Sequence, residues 1–170
     1  MMERSLRYLV LTIVGLGLVF GLGQATPAQA GWEKGVGAYN SGDYETALKE
    51  FVPLAKAGKP DAQFALGMMY LNGQLVKRDA NEAAKWFLKA ADQGMVDAQG
   101  SLGALYSAGK GVPLNMVQAY KWFDIAATRG NEKAKKILKD MAKKMSKEDV
   151  QKGRRLARKW RAEHRTLKRK

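Results

Sequence analysis

The strongest constraint on how this chain folds is an internal repeat that begins at residue 62. When the sequence is shifted by 36 positions, fourteen of the 36 residues starting there coincide with identical residues. The coinciding pairs include Leu66 with Leu102, Gly67 with Gly103, Trp86 with Trp122 and Phe87 with Phe123. A period of this length is typical of stacked helical hairpins, each too small to bury its own apolar face. The repeat therefore predicts an all-α solenoid whose units depend on their neighbours.

The first thirty residues have the organisation of a secretory signal peptide. Residues 1–7 include two arginines, residues 8–23 are an apolar run, and small residues stand at Ala28 and Ala30. This pattern predicts cleavage after residue 30. A helix of that run is shorter than the roughly 30 Å hydrocarbon core, which favours cleavage over retention as an anchor. We expect an exported, periplasmic protein, with a secreted protein or a signal-anchored protein as the alternatives.

Size, cysteine content and charge limit what residues 31–170 can form. Residues 31–170 suffice for one domain with its own core. The chain contains no cysteine, which excludes disulfides and thiolate chemistry. Residues 131–170 hold 17 Lys and Arg against five Asp and Glu, whereas residues 31–130 have a net charge of only +1. The basic character of the chain therefore belongs to its C-terminal segment.

Each copy of the repeat predicts two helices separated by a loop, and the second copy has the same features 36 positions later. In the first copy, one helix covers about residues 61–71 and ends near Gly73, where a left-handed residue is favoured. The other covers about residues 80–92, capped by Asp79. Gly67 costs its helix roughly 1 kcal/mol in propensity, so we expect a second helix to pack closely there. Trp86 is the large aromatic expected between the two helices.

A shorter unit precedes the two copies, and a degraded one follows them. Residues 32–41 and 43–57 predict a helical hairpin with a shortened loop, in which Asp43 caps the second helix and Pro53 kinks or loosens it. From residue 133 the pattern fades, as expected of a terminal unit that faces water.

The last helix is predicted from Ser146, where a capping box begins. Apolar or small residues then recur at helical spacing, at Val150, Gly153, Ala157, Trp160, His164 and Leu167. We expect this stripe to pack on the preceding helix and to close the stack.

The order Leu-Gly, Tyr and Gly, followed by Ala, Trp and Ala-Ala, resembles the Sel1-like repeat, a relative of the tetratricopeptide repeat. The resemblance covers about residues 43–136. It implies a right-handed α-solenoid of antiparallel helical hairpins in residues 31–145, with a basic C-terminal capping helix in residues 146–170. The units are about residues 32–60, 61–96 and 97–132, with a degraded cap from 133. Leu75 replaces the usual glycine, so we expect its loop to turn differently.

The sequence predicts no catalytic residues, no cofactor and no metal site. His164 is the only histidine and lies on the apolar stripe of a basic helix, where a packing role is favoured. Without cysteine, no Zn or redox-metal cluster can be assembled from the usual ligands. Asp61 and Asp97 recur at the starts of units, which favours helix capping over acid–base chemistry. An enzyme acting on cell-wall material has no residue set to support it.

The resemblance implies a non-catalytic adaptor or scaffold of the cell envelope, which binds another protein through the inner face formed by its first helices. Candidate contact residues are Asn40, Gln63, Met69, Asn72, Gln99, Leu105 and Ser107. Met69 and Leu105 are favoured because apolar residues off the predicted packing stripe need an explanation.

The alternative is a tether that acts through the basic helix on anionic lipid or envelope polymer. Its candidate residues are Arg154, Arg155, Arg158, Lys159, Arg161 and Arg165. Each basic residue near anionic lipid contributes about 1 kcal/mol to binding, although a solvated face is the simpler reading of such a charge run. Nucleic acid is the least favoured partner, since an exported protein seldom meets it and Trp160 is the only aromatic residue in this helix.

Overall fold

Eight α-helices follow one another in the computed structural model, which describes residues 26–165. They are α1 (Pro27–Ser41), α2 (Tyr44–Lys56), α3 (Pro60–Asn72), α4 (Ala80–Asp92), α5 (Val96–Ala108), α6 (Met116–Thr128), α7 (Glu132–Lys144) and α8 (Lys147–Glu163). No strand occurs among the described residues, so the predicted all-α fold is confirmed. Most of the predicted signal peptide lies outside the described residues.

The helix ends form as the sequence predicts. The side chain of Asp79 accepts hydrogen bonds from the amides of Asn81 and Glu82 at the start of α4, and Asn115 and Ser146 cap α6 and α8 in the same way. The amide of Thr46 donates to Asp43 at the start of α2 and lowers the pKa of that carboxyl. Pro53 lies inside α2, which runs on to Lys56.

The loop at Leu75 does not turn differently, so that expectation is wrong. Leu75 has a φ of 59°, close to the 69° of Gly111 at the equivalent position of the next copy. Both residues are left-handed, a conformation that costs a non-glycine residue roughly 1–2 kcal/mol. Gly111 could not itself be replaced easily, because a Cβ there would overlap the carbonyl of Ala80.

Within each unit, a glycine of the first helix lies against a phenylalanine of the second. A Cβ on Gly67 would lie 2.6 Å from the Phe87 ring, and one on Gly103 would lie 2.8 Å from the Phe123 ring. Gly35 and Phe51 repeat the arrangement in the short first unit. The predicted close packing is confirmed, and it depends on phenylalanine rather than on the tryptophan expected from the sequence.

The tryptophans instead connect successive units. Trp86 of α4 packs against a cluster of α2 and α3 side chains that contains Ala55, Ala62 and Leu66. Trp122 of α6 joins the equivalent cluster one unit later, which contains Ala91, Ala98 and Leu102. In α4 and α6, the adjacent phenylalanine and tryptophan therefore make different contacts: the phenylalanine packs on the glycine of its own unit, and the tryptophan packs on both its own first helix and the preceding second helix.

The last helix packs mainly on α6 and not, as expected, on the preceding helix α7. Gly153 of α8 faces Tyr120, where a Cβ would lie 2.9 Å from the ring. Trp160 meets Trp122 edge to face with ring centroids 5.9 Å apart, and its indole N–H donates to Asp92 of α4 over 3.1 Å. A fourth glycine–aromatic contact therefore holds α8 against α6.

We predict that Gly103→Ala destabilises the protein, because the added methyl group overlaps the Phe123 ring. Overpacking of this kind costs typically about 1–3 kcal/mol, from which the better helix propensity of alanine recovers up to about 1 kcal/mol. Urea unfolding followed by circular dichroism measures the difference.

Gly100→Ala is the matched control, since it lies on the same helix and its Cβ would meet only Asn131 at 3.5 Å. It is expected to be neutral or slightly stabilising. Equal stability of the two variants would show that the contact with Phe123 does not limit the approach of α5 and α6.

Candidate functional site

Two neighbouring cavities open along the first helices of the units, and together they form the inner groove. The cavities have volumes of about 350 and 330 Å³. Phe64 and Met68 of α3 line both of them. These two side chains are only partly buried and stand four residues apart on the same face of the helix. They form the ridge at which the cavities meet.

The first cavity is almost entirely apolar. Trp32 and Val36 of α1 and Met95, which precedes α5, complete its walls beside the α3 ridge. Trp32 lies 5.2 Å from Phe51 between ring centroids. Asp61, in the first turn of α3, is the only charged residue lining this cavity.

The second cavity is more polar and lies between α3, α5 and α7. Its α5 wall consists of Asp97, Gly100, Ser101 and Ala104, and its far wall includes Lys133 and Ile137 of α7. Asp97 is the counterpart of Asp61 one repeat later. Gly100 and Ala104 stand at the positions of Phe64 and Met68, so smaller residues make room where the previous unit has its ridge.

The predicted contact residues Met69 and Leu105 do not line this groove, and their assignment to a binding surface is corrected. Met69 is 0% exposed and packs with Ala47 and Phe51, and Leu105 is 4% exposed within the main core cluster. α3 and α5 are each covered by the second helix of their own unit and by that of the preceding unit. Their buried stripes are therefore wider than the sequence periodicity indicated.

Gln63 and Gln99 are also buried, and they join successive units rather than face a partner. The side-chain amide of Gln63 donates to the carbonyl of Ala55 over 3.2 Å, and that of Gln99 donates to Ala91 over 3.1 Å. Both acceptors lie in the last turn of the preceding helix, where backbone carbonyls have no partner inside the helix.

The remaining candidates are accessible but lie outside the groove walls. Asn40 and Asn72 are exposed near the ends of α1 and α3, and the Ser107 hydroxyl donates to the carbonyl of Ala104. None of the three is among the residues that line the two cavities. Their contact with a partner stays a prediction.

The cationic face is the outer side of α8, formed by Arg154, Arg155, Arg158, Lys159 and Arg165, all of which are exposed. Arg161, predicted with them, forms a 2.6 Å ion pair with Asp124 of α6 and is therefore an internal contact. Arg154 also reaches the Tyr120 hydroxyl at 3.3 Å.

His164, which follows α8, and Lys121 of α6 both lie against tryptophan rings. The imidazole of His164 stacks on Trp160 at 4.1 Å between ring centroids, with Nδ1 2.8 Å from the Trp160 carbonyl oxygen. Burial lowers the pKa of Lys121, which lies over the Trp122 ring.

Within residues 26–165, no cluster of His, Cys, Asp or Glu is arranged to hold a metal ion. No described helix is long and apolar enough to cross a membrane.

Comparison with known proteins identifies the repeat. Residues 60–95 and 96–131 each match the Sel1 repeat. One similar solved structure is a protective antigen present in uropathogenic Escherichia coli strains, which displays an SLR fold. Its sequence is 33% identical to this chain, and the TM-score is 0.76. The match covers 81% of this chain and 30% of the antigen. A Sel1 repeat protein from Oxalobacter formigenes is 34% identical with a TM-score of 0.62 over 76% of this chain and 54% of its own length.

A third solved structure is cysteine rich protein B of Helicobacter pylori, 27% identical with a TM-score of 0.52 over 68% of this chain and 100% of its own length. The chain thus spans only 30% and 54% of the first two structures. No curated protein sequence matches it. Proteins that share this fold are commonly protein–protein interaction modules, consistent with the extended inner surface of a solenoid.

We predict that Gln99→Ala destabilises the chain by about 1–3 kcal/mol, because it removes a buried hydrogen bond between units. Gln151→Ala, at an exposed position of α8, is the control and is expected to change little. Thermal unfolding distinguishes them. If Gln99→Ala were as stable as the control, the glutamine would not be a structural connection.

Proposed function

Because this chain is a Sel1-repeat protein, we propose that it is a non-catalytic adaptor of the cell envelope that binds another protein through the inner groove. Sel1-repeat proteins are generally interaction scaffolds without catalytic activity. The observation that supports the groove is the pair Phe64 and Met68, which remain partly exposed between two cavities. Apolar side chains that line an open groove are typical of sites where a partner binds.

The envelope location is part of the same proposal and rests on the signal-peptide pattern of residues 1–30. We place the protein in the periplasm, with secretion and retention by an uncleaved anchor as the alternatives. Expression of the full chain with a C-terminal tag, followed by separation of periplasm, membrane and medium, distinguishes the three.

A photoreactive amino acid placed at Met68 in the producing cells tests the groove. The protein crosslinked to it is identified by mass spectrometry. We expect a discrete partner, because Met68 lies between the two cavities. The same residue placed at Ala142, an exposed position of α7 that lines neither cavity, is the control and is expected to yield none.

A variant that fills the second cavity makes this experiment decisive. Ala104 is exposed and lines that cavity, so Ala104→Trp is expected to reduce the crosslinked product at least about tenfold, a loss of about 1.4 kcal/mol in binding. Ala142→Trp should leave the yield unchanged. Equal capture in the filled and unfilled proteins would reject the groove as the binding site.

A second candidate function, a tether to anionic lipid or envelope polymer, is supported by the cationic face. The apolar stripe of α8 is buried against α6, with Ala157 at 0% and Trp160 at 6% exposure, so this helix cannot insert its apolar side into a membrane without leaving the stack. Tethering would therefore be electrostatic and would weaken as salt screens the charges.

Vesicles that contain phosphatidylglycerol test the tether against vesicles of phosphatidylcholine alone. Replacing Arg155, Arg158 and Arg165 by glutamine is expected to weaken binding about a hundredfold, since each charge contributes about 1 kcal/mol. Replacing Lys49, Lys56 and Lys59, which are exposed but lie in or beside α2, is the control with the same change in net charge. Equal losses in both variants would mean that net charge, and not the cationic face, determines binding.

A further inference from the structure

Two acidic residues at the inner groove, Asp61 and Asp97, do not cap their helices. Their recurrence in both copies of the repeat favours capping, but the structure does not show it. Asp61 and Asp97 lie in the first turns of α3 and α5, whose N-cap residues are Lys59 and Met95 and make no side-chain cap hydrogen bond. Within residues 26–165, neither carboxylate forms a hydrogen bond or ion pair with another residue. Both are exposed, and each lines one of the two cavities.

The first cavity carries one negative charge. Among residues 26–165, Asp61 is the only charged residue in its walls, and the rest of the lining is aromatic, aliphatic or methionine. A cation placed near this carboxylate gains a favourable Coulomb interaction, whereas an anion is repelled. The cavity thus suits an apolar side chain with a positive charge next to it, and methionine walls adapt to different apolar shapes.

The second cavity has a carboxylate at the equivalent position, but a lysine lines the same cavity. Asp97 takes the place of Asp61, with Ser101 and Ala104 in the places of Ala65 and Met68. In the degraded unit the equivalent position is Lys133, at the far wall of the same cavity. The groove therefore offers two carboxylates along its length and a lysine at the end towards α7.

We propose that the first cavity of the inner groove recognises a polypeptide segment in which an apolar residue stands next to a lysine or arginine. This inference rests on the proposed function of the groove as a protein-binding site. Charge complementarity with Asp61 selects the basic residue, and the apolar walls accept its neighbour. In the second cavity Lys133 offsets the charge of Asp97, so a basic residue is not selected there.

A phage-displayed library of random peptides tests the proposal with the full chain as target. The selected peptides are expected to carry leucine, isoleucine, phenylalanine or methionine next to lysine or arginine. Synthetic copies should bind the Asp61→Asn variant about tenfold more weakly in fluorescence anisotropy. The control is the Glu45→Gln variant, which also removes a first-turn carboxylate but outside the cavities.

Selection of peptides without basic residues, unchanged affinity for the aspartate variant, an equal loss in the control, or failure to select any peptide overturns the proposal. The crosslinking experiment separates this result from the adaptor function. If Ala104→Trp abolishes capture at Met68 while the aspartate variant retains it, the groove binds a protein but does not select it by positive charge.

Discussion

The contact between a glycine of one helix and an aromatic ring of the next determines how closely the helices of this chain approach. Gly35, Gly67 and Gly103 each receive a phenylalanine from the second helix of the same unit. Any side chain at these positions would meet the ring at less than the distance that real Cβ atoms show. The lost helix propensity, about 1 kcal/mol for each glycine, is offset by the full burial of the ring. The strip of the first helix beside this contact, which carries Phe64 and Met68 in α3, is left partly uncovered and lines the inner groove.

Two other contacts join the hairpins into a stack. Trp86 and Trp122 pack on the preceding unit, and Gln63 and Gln99 donate to carbonyls at the end of the preceding second helix. The last helix ends the series by the same glycine–aromatic principle, with Gly153 against Tyr120. Because this contact uses the apolar stripe of α8, the arginines of that helix remain on the outside, and the cationic face is a consequence of how the stack is closed.

The sequence predicted the helices, their caps and the close approach at Gly67 and Gly103, because these features depend on local residue chemistry and on the repeat. It misplaced the binding surface. Gln63 with Gln99, and Met69 with Leu105, are identical or similar in the two copies, and they are buried. Phe64 and Met68 become Gly100 and Ala104 one repeat later, and all four line the groove. Comparison of the copies would therefore have separated these buried residues from the four groove residues, since packing between units demands repetition. Asp61 and Asp97 recur and also line the groove, so a repeated residue can face a binding surface as well.

The arrangement of charge makes the two surfaces electrostatically independent. Residues 31–130 are almost neutral, and most of the excess positive charge lies after residue 130. At physiological ionic strength the screening length is about 8 Å, shorter than the diameter of a single helix with its side chains, about 10–12 Å. Because α8 reaches α4 through Trp160 and Asp92, and α4 packs on α3, at least one helix separates the exposed arginines of α8 from Asp61, and screening over that width reduces their contribution there. A positively charged segment can approach the first cavity in a protein whose net charge is +14, because the nearby carboxylate of Asp61, and not the overall charge, determines the potential there.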